Sequence, residues 1–214
     1  MDWIKKIETE AGLLGIADLE KPLEELLANF QFSESEKEKF NRLSFEKRKK
    51  EFLLVRLVAK ELLYEKPEII YDSSGRPKLK NSTLNISISH SRELVTVLIS
   101  NKKVGIDVEN INRAIEKVAH RFLSVNEIEY VKKQENPRTA MIFYWSTKEA
   151  VFKCTDLQEI QFNREIIVNP VDINKLDWFR AEMLKNGKKQ LYNCRGFFFK
   201  NNVVVYCVEE ESKI

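Results

Sequence analysis

Asp107 and Glu109 stand two apart in the run Val104-Gly105-Ile106-Asp107-Val108-Glu109. On a β-strand that spacing sends both carboxylates to one face, a few ångströms apart and aimed at one point. Two like charges held together favour a cation. Hard oxygen donors suit Mg²⁺, which takes one or two protein carboxylates and completes its shell with water and substrate phosphate. The pair on its own reads first as a solvated strand face that carries two acids by chance. A second run, Phe143-Tyr144-Trp145-Ser146-Thr147-Lys148-Glu149-Ala150-Val151-Phe152-Lys153, alters the balance. At helical spacing Trp145, Lys148, Glu149 and Phe152 fall on one stripe, which sets a charged pair among large apolar side chains. Glu149 and Lys153 form a plain i,i+4 surface ion pair on one reading. On the sharper one, Glu149 is a third metal carboxylate flanked by two phosphate-facing lysines, Lys148 and Lys153.

Other groups suit anions. His90 follows Ser89 at the end of a strand, where a hydroxyl and an imidazole can donate to phosphate oxygens. Arg76 lies in a Gly75-Arg76-Pro77 turn whose proline stiffens the backbone, and its guanidinium can grip an anion in bidentate fashion. Lys47, Arg48, Lys49 and Lys50, with Arg56 beyond them, make one side of a helix basic; the interleaved Glu46 and Glu51 fit a merely solvated face. His120 has no such neighbours and reads as structural.

These residues need elements to hold them. From Glu34 to Tyr64 the chain is helical in character, with Phe40, Leu43, Phe52, Val55, Leu57, Val58 and Leu62 at three- and four-residue steps and Pro67 closing the run. Turn residues at 72–77 precede two alternating strands, Leu84 to Ile88 and Leu94 to Ile99. The strand carrying Asp107 and Glu109 then completes a meander. In the second half, helical segments Ile115 to Phe122, Asn126 to Lys133 and Arg138 to Cys154 come first, with Ser124 as N-cap and Glu127 three residues on. Strands Leu191 to Lys200 and Val203 to Glu209 follow, joined at Asn201-Asn202. Helix-then-meander thus occurs twice. The expected fold class is α+β, with two similar subdomains, 1–102 and 103–214, about a pseudo-two-fold and the site between them.

The 214 residues are 43% hydrophobic, enough for a real core, and 36 Lys+Arg against 33 Asp+Glu leave a net charge of only +3. Nothing in that balance argues for a nucleic acid partner. Cys154, Cys194 and Cys207 follow no ligand or disulfide spacing and read as reduced thiols of a cytoplasmic protein. No stretch approaches the roughly 18 apolar residues of a membrane helix.

In order, Gly75-Arg76-Pro77, Ile86-Ser87-Ile88-Ser89-His90-Ser91, Gly105-Ile106-Asp107-Val108-Glu109, Arg121-Phe122-Leu123-Ser124-x-x-Glu127 and Trp145-Ser146-Thr147-Lys148-Glu149-Ala150-Val151-Phe152-Lys153 resemble the surfactin-type class of phosphopantetheinyl transferases. The pairing of G-x-D-x-E with W-x-x-K-E-A-x-x-K about forty residues later is the specific part; the likeness spans about Lys47 to Lys153. The resemblance implies transfer of the phosphopantetheine arm of coenzyme A to a serine of an acyl or peptidyl carrier protein. It implies that Asp107, Glu109 and Glu149 hold Mg²⁺, that Arg76, Ser89, His90, Lys148 and Lys153 face the phosphates, and that Glu127 acts as base with Lys153 also catalytic. Among N-terminal contacts to coenzyme A, Lys47, Arg48 and Lys50 are alternatives. Ser87 stands where the family often has Asn, and Arg76 where it often has Lys. The chain length fits the family's single-chain class, so a monomer is expected. The rival readings are a Mg²⁺-dependent nuclease, which leaves the Gly-Arg-Pro and Ser-His pieces unexplained, and a non-catalytic carrier-binding module.

Overall fold

The computed structural model describes residues 1–175 and 177–211. The chain opens with a hairpin, β1 (Ile4–Thr9) and β2 (Gly12–Asp18), followed by α1 (Leu23–Ala28), α2 (Glu34–Asn41) and α3 (Glu46–Leu63). A small pair, β3 (Ile69–Tyr71) with β4 (Pro77–Leu79), leads to β5 (Asn85–His90) and β6 (Leu94–Ser100). The second half holds β7 (Val104–Asn110), a 3-10 turn (Glu116–Arg121), α4 (Val125–Lys132), α5 (Pro137–Cys154), α6 (Phe162–Glu165), β8 (Ile166–Val168), β9 (Phe179–Lys185), β10 (Lys188–Phe199) and β11 (Asn202–Glu209). The class is α+β: two antiparallel sheets, ordered β1-β2-β6-β5 and β7-β11-β10-β9-β8, pack against α3 and α5 respectively.

Three expectations change here. The helical stretch from Glu34 to Tyr64 is two helices. Phe40 stacks within 5.9 Å of Phe52 and 5.0 Å of Phe32. Twelve residues of unbroken helix would separate Phe40 from Phe52 by ~18 Å, so burying these rings together requires the break at 42–45. Secondly, β7 does not extend a meander from β6. Both edges of β6 are taken, by β2 and β5, so β7 joins the other sheet and pairs with β11, with Asp107 opposite Val205 and Glu109 opposite Val203. Thirdly, the segment expected as a helix from Ile115 to Phe122 is a short 3-10 turn. The hairpin of β1 and β2 lies in a stretch to which the sequence analysis assigns no element.

Local chemistry explains the helix starts. Ser33 and Glu36 form a capping box on α2, and Ser124 and Glu127 form one on α4, so that orphan N–H groups in the first turn are satisfied. On α5, Asn136 accepts from the Thr139 N–H and Pro137 occupies the first turn. One glycine sets the central geometry: a Cβ on Gly105 would run into the Ala150 carbonyl. Its absence lets β7 lie directly against α5, which brings the acids of the one beside Glu149 of the other.

Each half has its own apolar core, and a third core joins them. Ala11, Leu14, Ile16, Leu94 and Leu98 from the first half meet Val104, Ile106, Val108, Val204 and Tyr206 from the second. The seam is also bonded: the Ile106 N–H donates to Ser87 Oγ (3.0 Å) and the Val108 N–H to Ser89 Oγ (3.3 Å). Serine hydroxyls on β5 thus satisfy the free edge of β7, where a further strand would otherwise be required.

Candidate active site

A cleft of about 910 Å³ opens between the halves, with Asp107, Glu109, Trp145, Glu149, Phe152 and Lys153 on one side and Arg48, Glu51, Arg76, Ser89 and His90 on the other. Asp107 is buried and fully engaged. Its Oδ1 accepts from Ser89 Oγ (2.8 Å) and Lys153 Nζ (2.7 Å), and its Oδ2 from Ser146 Oγ (2.9 Å). Glu109 Oε1 accepts from Trp145 Nε1 (2.9 Å) and from Arg113. Lys153 therefore turns to Asp107 on the neighbouring strand rather than to Glu149 on its own helix, which removes the surface-pair reading.

Glu149 makes no hydrogen bond or ion pair among the described residues, and its carboxyl is pushed up to about 7, first by desolvation and then by Asp107, with Glu109 adding and Lys153 and Arg113 opposing. Glu109 is also raised, by desolvation and by Asp107. Carboxyls raised by burial and by a neighbouring acid are under-neutralised, which is the electrostatic condition for taking up a cation. Among the described residues no three such side chains close around a point to cage an ion. The donor set fits a hard cation that draws part of its shell from water and phosphate, and does not fit a closed protein cage.

Lys148 and Glu127 are not in the cleft, contrary to the expectation that one faces phosphate and the other acts as base. Successive helix residues lie ~100° apart, so the stripe of Trp145, Glu149, Phe152 and Lys153 faces the cleft while Lys148 faces the core. There Lys148, fully buried, donates to Glu127 Oε2 (2.7 Å), to the Phe162 carbonyl (3.0 Å) and to the Ile166 carbonyl (2.6 Å). Glu127 also accepts from the N–H groups of Ser124 (2.7 Å) and Val168 (2.8 Å). Burial holds the Lys148 ammonium below its ordinary range, with Glu127 opposing. The pair joins α4, α5, α6 and β8, and its polar atoms are spent on that joint.

The anion-facing candidates divide. Arg48 and His90 line the cleft, whereas Lys47 lies at a second, smaller cavity with Lys50 and Arg92. Arg76 lines the cleft too, but its guanidinium donates to the carbonyls of Thr155, Phe152 and Leu157 and so caps the C-terminal end of α5. Ser89 is held between Asp107, Lys153 and the Val108 N–H. Sequence reasoning passed over three residues. Ser146 and Arg113 complete the acid cluster, and no periodicity flags an arginine four residues beyond a strand carboxylate. Glu51 was read as part of a solvated face, yet it is only 6% exposed, as its helical neighbours in phase, Leu54 and Val55, would have indicated.

The three cysteines are free and buried, and among the described residues no helix is long and apolar enough to cross a membrane. Comparison with known proteins agrees with the cleft chemistry. Residues 103–196 match the family model described as the 4'-phosphopantetheinyl transferase superfamily. A 4'-phosphopantetheinyl transferase of Bacillus pumilus is 31% identical over 110 residues, 48% of this chain and 47% of that protein. Another from Aneurinibacillus migulanus is 38% identical over 72 residues, 33% of this chain and 30% of that protein. The chain spans about half the length, or less, of these curated relatives. The holo-[acyl-carrier-protein] synthase of Thermotoga maritima is 24% identical, with a TM-score of 0.37 over 52% of this chain and 64% of that one. Asp107, Glu109, Glu149 and Lys153 all lie within residues 103–196, the part of the chain that is similar to the 4'-phosphopantetheinyl transferase superfamily.

Proposed function

We propose that the protein transfers 4'-phosphopantetheine from coenzyme A to a serine of an acyl or peptidyl carrier protein, releasing 3',5'-ADP. The observation that carries this reading is the acid cluster Asp107, Glu109 and Glu149 with Lys153 at the wall of a cleft large enough for a dinucleotide-sized ligand. Asp107, Glu109 and Glu149 are the residues that would hold Mg²⁺, which when bound neutralises the pyrophosphate and its leaving group. Lys153 sits on the same wall, 2.7 Å from Asp107, and adds a positive charge where negative charge develops. Arg48 and His90 meet the phosphates from the opposite wall. With Glu127 enclosed, the serine proton passes to the Glu149 carboxylate, which makes no hydrogen bond or ion pair among the described residues. Residues 1–102 and 103–214 act as two subdomains of one catalytic unit, and a cytoplasmic monomer accompanies this reading.

The test is to incubate the protein with coenzyme A, Mg²⁺ and a panel of apo carrier proteins and to weigh the carriers. One phosphopantetheine gained, only with metal present, supports the proposal. No gain on any carrier, with no binding of coenzyme A, returns the nuclease and the carrier-binding module to the front.

A further inference from the structure

Glu51 is an acid where the proposed function would ask for bases. It projects from α3 into the phosphate-facing wall of the cleft and is only 6% exposed. A carboxylate there repels an incoming phosphate, so its burial needs another reason. Every side chain that pairs with it among the described residues is a cation or an imidazole. Arg48 NH1 donates to Oε2 at 2.8 Å, His90 Nδ1 lies 3.4 Å from Oε1, and Lys47 Nζ lies 3.8 Å from the same oxygen. The Arg48 guanidinium also reaches the far edge of the ring, 3.4 Å from His90 Nε2. An arginine has no lone pair to offer, so the nitrogen facing it must be the acceptor and the proton of the neutral ring must sit on Nδ1, toward Glu51.

We infer that Glu51 is a positioning residue: it fixes the rotamer of Arg48 and the orientation and tautomer of His90, so that both are aligned for phosphate before it arrives. Resting on the transferase reading of the cleft, this explains why an acid belongs among its bases. Without Glu51 no carboxylate would oppose Arg48, Lys47 and Lys153 around the imidazole, and its Nδ1 side would lose its anchor. The same four groups govern its protonation. Desolvation lowers the His90 imidazole most, Glu51 opposes, and Arg48, Lys153 and Lys47 lower it further. Affinity gained this way comes from ordering side chains in advance, with no new contact to the ligand.

The chain has two histidines, so side-chain nitrogen NMR reads each one, with His90→Asn assigning the signals. Neutral His90 is expected to carry its proton on Nδ1; a proton on Nε2 overturns the inference, and this needs no variant at position 51. In Glu51→Gln, which keeps the shape, the His90 pKa is expected to fall by about one pH unit while His120 stays put. Coenzyme A binding, measured calorimetrically, should weaken on the order of ten-fold, and the loss should shrink in a His90→Asn background, where only the Arg48 share remains. Unchanged His90 titration with unchanged affinity would sink the proposal. If the wild type binds no coenzyme A at all, the transferase reading falls, while the tautomer and titration still judge the role of Glu51.

Discussion

Glu149 and Lys148 are adjacent in sequence and differ in every physical respect. Glu149 faces the cleft without a partner among the described residues; Lys148 is enclosed with Glu127. Their substitutions should therefore fail differently. Glu149→Gln should lower kcat/KM by at least about 100-fold, as loss of one charge-stabilising group does, with an unchanged denaturant midpoint. Lys148→Met should destabilise by about 3–5 kcal/mol, because it strands a buried carboxylate, and adding Glu127→Gln should recover more than half of that in urea unfolding. A Lys148→Met variant with full stability would mean the pair is solvated. His90 offers a pH test. Its folded pKa lies below the ordinary 6.5, so the folded state disfavours protonation. Stability is then fully present above about pH 6.5 and declines as pH falls below it. His90→Asn should flatten that decline in denaturant titrations between pH 7.5 and 5.5.

The elements that present these residues were legible to different degrees. The α5 run and the strand with Asp107 and Glu109 were readable because their chemistry coincides with strong periodicity. Ser124 and Glu127 were readable as a cap because capping is a local bargain among four residues. The pairing of β7 with β11 was not readable, since strand partners are set by which edges remain open after the rest of the sheet forms. The hairpin of β1 and β2 and the three-residue β8 were missed for lack of clean alternation: the burial along β2 runs continuously, as for a strand covered on both faces, whereas β9 does alternate and was passed over all the same. Contact between α5 and β7 depends on one missing side chain. Gly105→Ala should cost about 1–3 kcal/mol in stability and reduce activity as well, because α5 must shift and carries Glu149 with it. Thermal unfolding and turnover, measured together, check this; lost stability with unaltered turnover would show that the acids tolerate the displacement.

Across the whole molecule, the two halves share a core built from both sheets and seamed by Ser87 and Ser89. They should unfold as one unit. Leu98→Ala, on the first half's side of that core, is expected to destabilise by about 2–5 kcal/mol while keeping a single calorimetric transition. Two separated transitions would show halves that fold independently. The cleft exists only because the halves meet: Asp107 comes from the first strand after the junction, Ser89 and His90 from before it, and Glu149 and Lys153 from the far helix.

The sequence by itself determined which residue types could do the chemistry, the helix that carries Glu149 and Lys153, and the strand that carries Asp107 and Glu109. Those properties depend on spacing within one element, which 3.6- and 2-residue periods encode directly. Only the tertiary structure decided that Lys148 and Glu127 form a closed joint, that Lys153 serves Asp107, that Arg76 caps a helix, and that Glu51 enters the cleft. Each of these depends on which face of one element meets which face of another. That choice is made by the packing of the whole core and by the need to satisfy every buried charge.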